Sequence, residues 1–282
     1  PYSLKWQIFG MVIIILSLLF LFNNYPFAEF KFDQYRGEQG IGPYQNLIDY
    51  VNNKGGLTFW AHPGAEYKRR IGSVEVETLE YSGYLLDTSD YTGFAVFTEG
   101  YKTARPGDKW DRILKQYCLG KRKSPVWAIS ELDFDVTGNL STYLTDIRTI
   151  VLIPHLTKTA VLEALKGGKM YAVRGKPGLV LDKFIIQDSL TDINGTMGEN
   201  IEVSGNPIVK ISGHFPDNHS KPVKINLIRN GTVTKTFEVM SPFEIDYQDD
   251  YSDEGSKIYY RLEIKYSGGS LVTNPVFVKF GH

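Results

Sequence analysis

Four side chains carry most of the potential chemistry in this sequence: His62, Glu131, Asp133 and Asp135. His62 closes the apolar run Leu57–Ala61 and precedes Pro63, and the three carboxylates occupy alternate positions directly after the apolar run Pro125–Ile129. In parallel α/β folds, residues just past the C-terminal ends of strands converge on one site. An imidazole and several carboxylates gathered there can hold a hard or borderline divalent metal, which activates water. The same residues have a plainer use. A histidine beside a proline can hydrogen-bond its own loop, and Glu-x-Asp-x-Asp after a strand can cap a turn. By residue type alone both uses stay open.

Other reactive residues are poorer candidates. Cys118 is the only cysteine, which excludes an intrachain disulfide and a cysteine metal cage. It falls in the helical pattern Trp110, Ile113, Leu114, Tyr117, Cys118, so it reads as a core residue and not a nucleophile. The acidic run Asp249 to Glu254 reads as a solvated hairpin tip, with a calcium loop as the alternative. The short basic clusters 68–70 and 121–123 read as solvated loops, with contact to an anion or lipid headgroup as the alternative.

The elements that must position these residues follow from punctuation and period. Gly42-Pro43 starts a helix running to Asn53, and Gly55-Gly56 stops it. Strands are expected at Leu57–Ala61, Val74–Leu79, Phe94–Phe97, Pro125–Ile129, Thr149–Ile153 and Lys169–Val173. Asp108 caps a helix over Trp110–Cys118, and Thr157 or Thr159 caps another that Gly167-Gly168 closes. Helices alternating with short apolar strands argue for an α/β unit with parallel pairing over residues 37–176. After Gly178 the helical period disappears. Strand-like runs separated by turns such as Asn230-Gly231 and Gly268-Gly269 predict an antiparallel β-sandwich.

Composition sets the frame. With 42% hydrophobic and 22% charged residues the 282-residue chain is a folding one, and a net charge of -1 gives no field that would draw it to nucleic acid. From Trp6 to Phe22 every residue is apolar except Gln7, Gly10 and Ser17. Such a helix spans roughly 25 Å, close to the ~30 Å of a bilayer's hydrocarbon. Trp6 and Tyr25 bracket it where aromatic rings favour the headgroup level. The reading is a single-pass membrane anchor; the alternative is a cleaved signal, against which 23–27 offers no small-x-small pattern. A short tail ahead of a large domain favours the soluble part lying on the extracytoplasmic (periplasmic) side.

Three stretches carry a family resemblance. Gly55-Gly-Leu-Thr-Phe-Trp-Ala-His-Pro63 looks like the GG-apolar-AHP motif of the PHP (polymerase and histidinol phosphatase) superfamily of metal-dependent phosphoesterases. Residues 125–135 resemble that superfamily's late G-x-S-D-x-H strand end, and 161–173 its closing helix and strand. The C-terminal half, with 225–231, 259–264 and 274–278, is similar to the module that ends the CehA/McbA-like branch. The resemblance implies a partial PHP-type barrel with His62 and Asp133 at metal positions. It also implies lost activity: Asp135 stands where the late histidine belongs, Leu132 replaces a serine, and no histidine precedes His62 to supply the early His-x-His.

The combined expectation is a membrane anchor with linker over residues 1–30, a partial PHP-like α/β domain over 31–177 and a β-sandwich over 178–282. The expected role is a non-catalytic accessory or scaffolding subunit of a membrane complex, touching lipid and a protein partner or a second copy, with no nucleic acid. His62, Glu131, Asp133 and Asp135 would form a vestigial or remodelled site, able to take a divalent metal but not to catalyse. The alternative is a metal-dependent phosphoesterase.

Overall fold

In a computed structural model the described residues are 3–23, 27, 31–34, 39–78, 80–97, 99–132 and 144–281. The chain divides into two compact units, Pro1–Gly56 with Asp87–Asp90, and Leu57–Leu86 with Tyr91–His282.

The first unit is helical. Helix α1, Leu4–Phe22, starts two residues before the expected run and has no buried residue. It is long and apolar enough to cross a membrane, a test that a signal sequence near an N-terminus also passes. Helix α2, Gly42–Asn53, carries Pro43 in its first turn, where the missing N–H costs no hydrogen bond. Gln45 and Asn52 on α2 hydrogen-bond the main chain of Ser89 and Asp90.

The second unit is mixed α/β with mostly antiparallel sheets. Strands β1 (Phe59–Trp60), β4 (Gly93–Phe97) and β5 (Trp127–Ser130) form a parallel sheet in the order β1-β4-β5. Between β1 and β4 come the hairpin β2 (Tyr67–Ile71) and β3 (Val74–Thr78) and the single turn α3 (Tyr84–Asp87). The crossover from β4 to β5 is α4, Lys109–Cys118, with the Asp108 carboxylate accepting the Lys109 N–H. Strands β6 (Ile147–Val151) and β7 (Met170–Arg174) flank α5 (Lys158–Gly167), whose cap is Thr157. Gly168 ends α5 at φ +72, and a Cβ there would lie 2.5 Å from the Trp127 ring. Glycine is therefore required twice over, by conformation and by space.

The remaining strands are β8 (Val180–Asp188), β9 (Asn194–Thr196), β10 (Asn200–Val203), β11 (Pro207–His214), β12 (Pro222–Arg229), β13 (Thr232–Met240), β14 (Phe243–Gln248), β15 (Lys257–Tyr266), β16 (Gly269–Thr273) and β17 (Val276–Phe280). One sheet runs β10-β17-β15-β16-β7-β6, with β12 also on β15 and β13 on β12; the other runs β14-β11-β8-β9. Their facing apolar rows, among them Phe184, Ile186, Val209 and Ile211 against Ile225, Leu227, Leu262 and Ile264, make one core. As expected, no helix occurs among the described residues after Gly205.

Three expectations change. Parallel pairing holds for β1, β4 and β5, whereas β6 and β7 pair antiparallel across α5. Residues 152–157 carry the chain away from β6, and α5, roughly 15 Å long, brings it back to the end it left, where Leu152 N–H bonds Lys169 C=O at 2.8 Å. Residues 68–70 are not a loop: they lie in β2, exposed as expected, with Lys68 paired to Glu75 at 2.6 Å on β3. Strand β10 runs parallel to β17, so the C-terminal half is not purely antiparallel.

The parallel sheet meets the larger one through side chains. Asn274, fully buried between β16 and β17, accepts the Ala128 N–H at 2.7 Å and donates to the carbonyls of Ala128 and Met170 at 3.1 and 3.0 Å. The Thr149 hydroxyl accepts Ser130 N–H at 2.9 Å and donates to Ser130 C=O at 3.1 Å. A side chain thus makes the bonds that a neighbouring strand would otherwise make to β5.

Candidate functional site

His62 and Glu131 come together as the parallel topology requires, each just past the C-terminal end of its strand, β1 and β5. His62 Nδ1 lies 2.7 Å from Glu131 Oε1, with the side chains 30% and 20% exposed. The same carboxylate oxygen accepts the His62 main-chain N–H at 2.5 Å. His62 has φ +29, a conformation that costs a non-glycine residue energy and survives only where neighbours enforce it. Glu131 enforces it by holding both backbone and ring. The loop also presses on β4's extension, since a Cβ on Gly64 would lie 2.2 Å from Glu99 O.

Asp133 and Asp135 lie outside the described residues, as does Tyr25 of the aromatic bracket; Trp6 and Phe22 fall within α1. Of the four expected donors the described ones are therefore one imidazole and one carboxylate, below the three protein ligands of a catalytic zinc-type centre. Among the described residues no group of three His, Cys, Asp or Glu side chains is placed to hold a metal.

No family model, curated protein or solved structure matches this chain. The PHP resemblance therefore rests on the motifs alone.

Sequence reading missed a polar face on the large sheet. Alternate residues of β15 point away from the sandwich core and meet partners from α4 and the 3-10 turn Glu99–Tyr101. Arg261 and Asp111, both fully buried, form a two-pronged ion pair, Nε to Oδ1 at 2.8 Å and Nη2 to Oδ2 at 2.7 Å. Tyr259 donates to Asp111 Oδ1 at 2.8 Å, Gly107 N–H to Oδ2 at 2.7 Å, and the guanidinium lies 4.7 Å from the centre of the Trp110 ring. Glu263 accepts from the Tyr101 hydroxyl, from Asn226 at 3.1 Å and from Lys265 at 3.3 Å. Burial opposes its ionisation, yet these donors together hold the carboxyl below its ordinary value. The one early signal was the alternation of Tyr259, Arg261 and Glu263 with Ile258, Tyr260 and Leu262.

Two other groups are structural. Lys109 bonds the Ser82 hydroxyl and Glu80, and the hydrogen bonds from Lys109 and Ser82 lower the Glu80 carboxyl's pKa. Ser82 is fully buried, so this lysine does not activate it toward a substrate. Burial pushes the Cys118 thiol up to about 12, which leaves little thiolate at neutral pH.

Proposed function

We propose that this chain is a membrane-anchored, PHP-like accessory protein without hydrolytic activity, its partial barrel and sandwich serving as a binding scaffold. The observation that carries the proposal is the use made of Glu131, whose oxygen pins the strained His62 backbone and its ring. That is a loop-holding duty, and it engages both described candidate ligands with each other. Helix α1 serves as the anchor, with the soluble part on the extracytoplasmic side. A partner or second copy is supported by the β2–β3 hairpin, which leaves Tyr67, Ile71, Val74 and Val76 exposed on one face. Two-stranded hairpins are marginal in water unless something covers them.

The second reading is a metal-dependent phosphoesterase. It is favoured by the Nδ1-to-carboxylate geometry itself, because carboxylate partners orient histidines at metal centres in this way. The chain in detergent, supplied with Mn²⁺ or Zn²⁺ and an aryl phosphate, separates the two readings. The accessory reading expects no turnover above the His62→Ala variant and no stoichiometric Zn, Mn or Fe by elemental analysis. Turnover that disappears with His62→Ala establishes the enzyme. Resistance of the protein to alkaline carbonate extraction tests the anchor, and a processed N-terminus would favour a signal sequence.

A further inference from the structure

The strand register lines up an unusual set of side chains on the polar face of the large sheet. Arg174 on β7 stands opposite Ser270 on β16, Ser270 opposite Lys265 on β15, and Lys265 opposite Lys224 on β12. Directly opposed residues in antiparallel strands project from the same face, with strands about 4.8 Å apart. Three cations and a hydroxyl therefore share one pleat, an arrangement in which like charges repel.

The carboxylates among the described residues compensate two of the three cations and leave Arg174 without a counter-charge. Glu238 lies at its end and pairs with Lys224 at 3.0 Å. Glu263 pairs with Lys265 at 3.3 Å and accepts further hydrogen bonds from Tyr101 and Asn226. Among the described residues the guanidinium of Arg174 has no ion pair and no hydrogen bond, and the Ser270 hydroxyl has no partner. A cleft of about 350 Å³ opens here, with Arg174, Ser270 and Lys265 on its wall beside Phe97, Tyr101 and Tyr266. Arg174 ends β7 and Phe97 ends β4, so two strand ends open into it.

We infer that this cleft is a binding site for an oxyanion group, a phosphate or a carboxylate, held between Arg174 and Lys265 with Ser270 beneath it. The planar fork of Arg174 suits two oxygens of such a group, Lys265 adds a point charge, and the serine hydroxyl donates between them. The rings of Phe97, Tyr101 and Tyr266 form the apolar part of the wall. The site is independent of whether His62 and Glu131 hold a metal. Its oxyanion can belong to a soluble ligand or to a lipid headgroup.

The test uses the full chain in micelles of a zwitterionic detergent, titrated calorimetrically with inorganic phosphate and with acetate while sodium chloride keeps ionic strength constant. Saturable binding of at least one is expected. Arg174→Gln should weaken it about tenfold or more, the loss of one bidentate charged pair. Arg174→Lys should fall between, and Arg69→Gln on the exposed hairpin should bind as the parent does. Matching thermal melts confirm that the variants fold. Repeating the titration in phosphatidylcholine and in phosphatidylglycerol nanodiscs identifies the source. Weaker phosphate binding in the anionic discs, lost in Arg174→Gln, points to a headgroup occupant; equal binding points to a soluble one. Non-saturating heats with both anions, or an Arg174→Gln variant that binds like the parent, would overturn the inference.

Discussion

The most informative perturbation is to break the Asp111–Arg261 pair one partner at a time. Both side chains are fully buried, so Arg261→Met leaves the Asp111 carboxylate with only Tyr259 and Gly107 as donors. Asp111→Leu leaves a guanidinium with the Ala104 carbonyl and the Trp110 ring. Removing one member of a buried ion pair costs about 3–5 kcal/mol, because the other charge stays desolvated. For a unit of this size each kcal/mol lowers Tm by about 2–4 °C, so either variant should melt about 6–20 °C lower. The double variant removes both charges and should lose less than the two single losses combined, a coupling of about 1.5 kcal/mol or more. Urea unfolding followed by tryptophan fluorescence reads all three, since Trp110 sits against the pair. Single variants within about 1 kcal/mol of the parent, or strictly additive losses, would refute the reasoning that this pair fastens α4 to β15.

Other outcomes follow from the same geometry. Glu263 titrates below its ordinary 4.5 in the folded chain, so its contribution is fully present above that pH and fades as pH falls through the lower folded value. Glu263→Gln should therefore flatten the acid limb of stability, read as urea midpoints from neutral pH to pH ~3, and leave its slope near neutrality unchanged. Cys118, with its thiol raised to about 12, should resist iodoacetamide in the folded chain and react freely in guanidinium; rapid modification under native conditions would contradict its burial. Asn274→Ala strips a donor or acceptor from Ala128 and Met170 and should cost about 2 kcal/mol or more, with faster amide exchange at Ala128 as the local signature. Gly168→Ala should lower Tm by several degrees, because relief would require moving the Trp127 ring.

Much of the local structure was legible in the sequence. Strand β11 alternates buried and half-buried residues along its length, so period two identifies it without reference to neighbours. Helix α4 declared itself by its cap and its apolar positions. The direction of β7 was not legible, because the segment between it and β6 reads as an ordinary crossover helix whichever way the strand returns. Strand β15 is buried almost throughout, and the polar half of that burial depends on Asp111, 150 positions earlier in the chain. At the candidate site, sequence placed His62 and Glu131 at strand ends and left open whether the histidine ligates a metal or hydrogen-bonds its loop. The positive φ of His62, and the carboxylate that holds both its backbone and its ring, arise only from tertiary contact.

The stitching by Asn274 has a consequence for how the chain can be made. Strand β5 receives two of its bonds from Asn274, 146 positions later in the chain than Ala128, and Asp111 on α4 waits for Arg261. During synthesis the parallel sheet emerges before its partners and stays unfinished at its seam, with the Asp111 carboxylate lacking its counter-charge, until β15 to β17 leave the ribosome. Folding of the earlier half is thus conditional on completion of the later one. A chain cut short before β15 should be recognised by proteases as incomplete from its first strands onward.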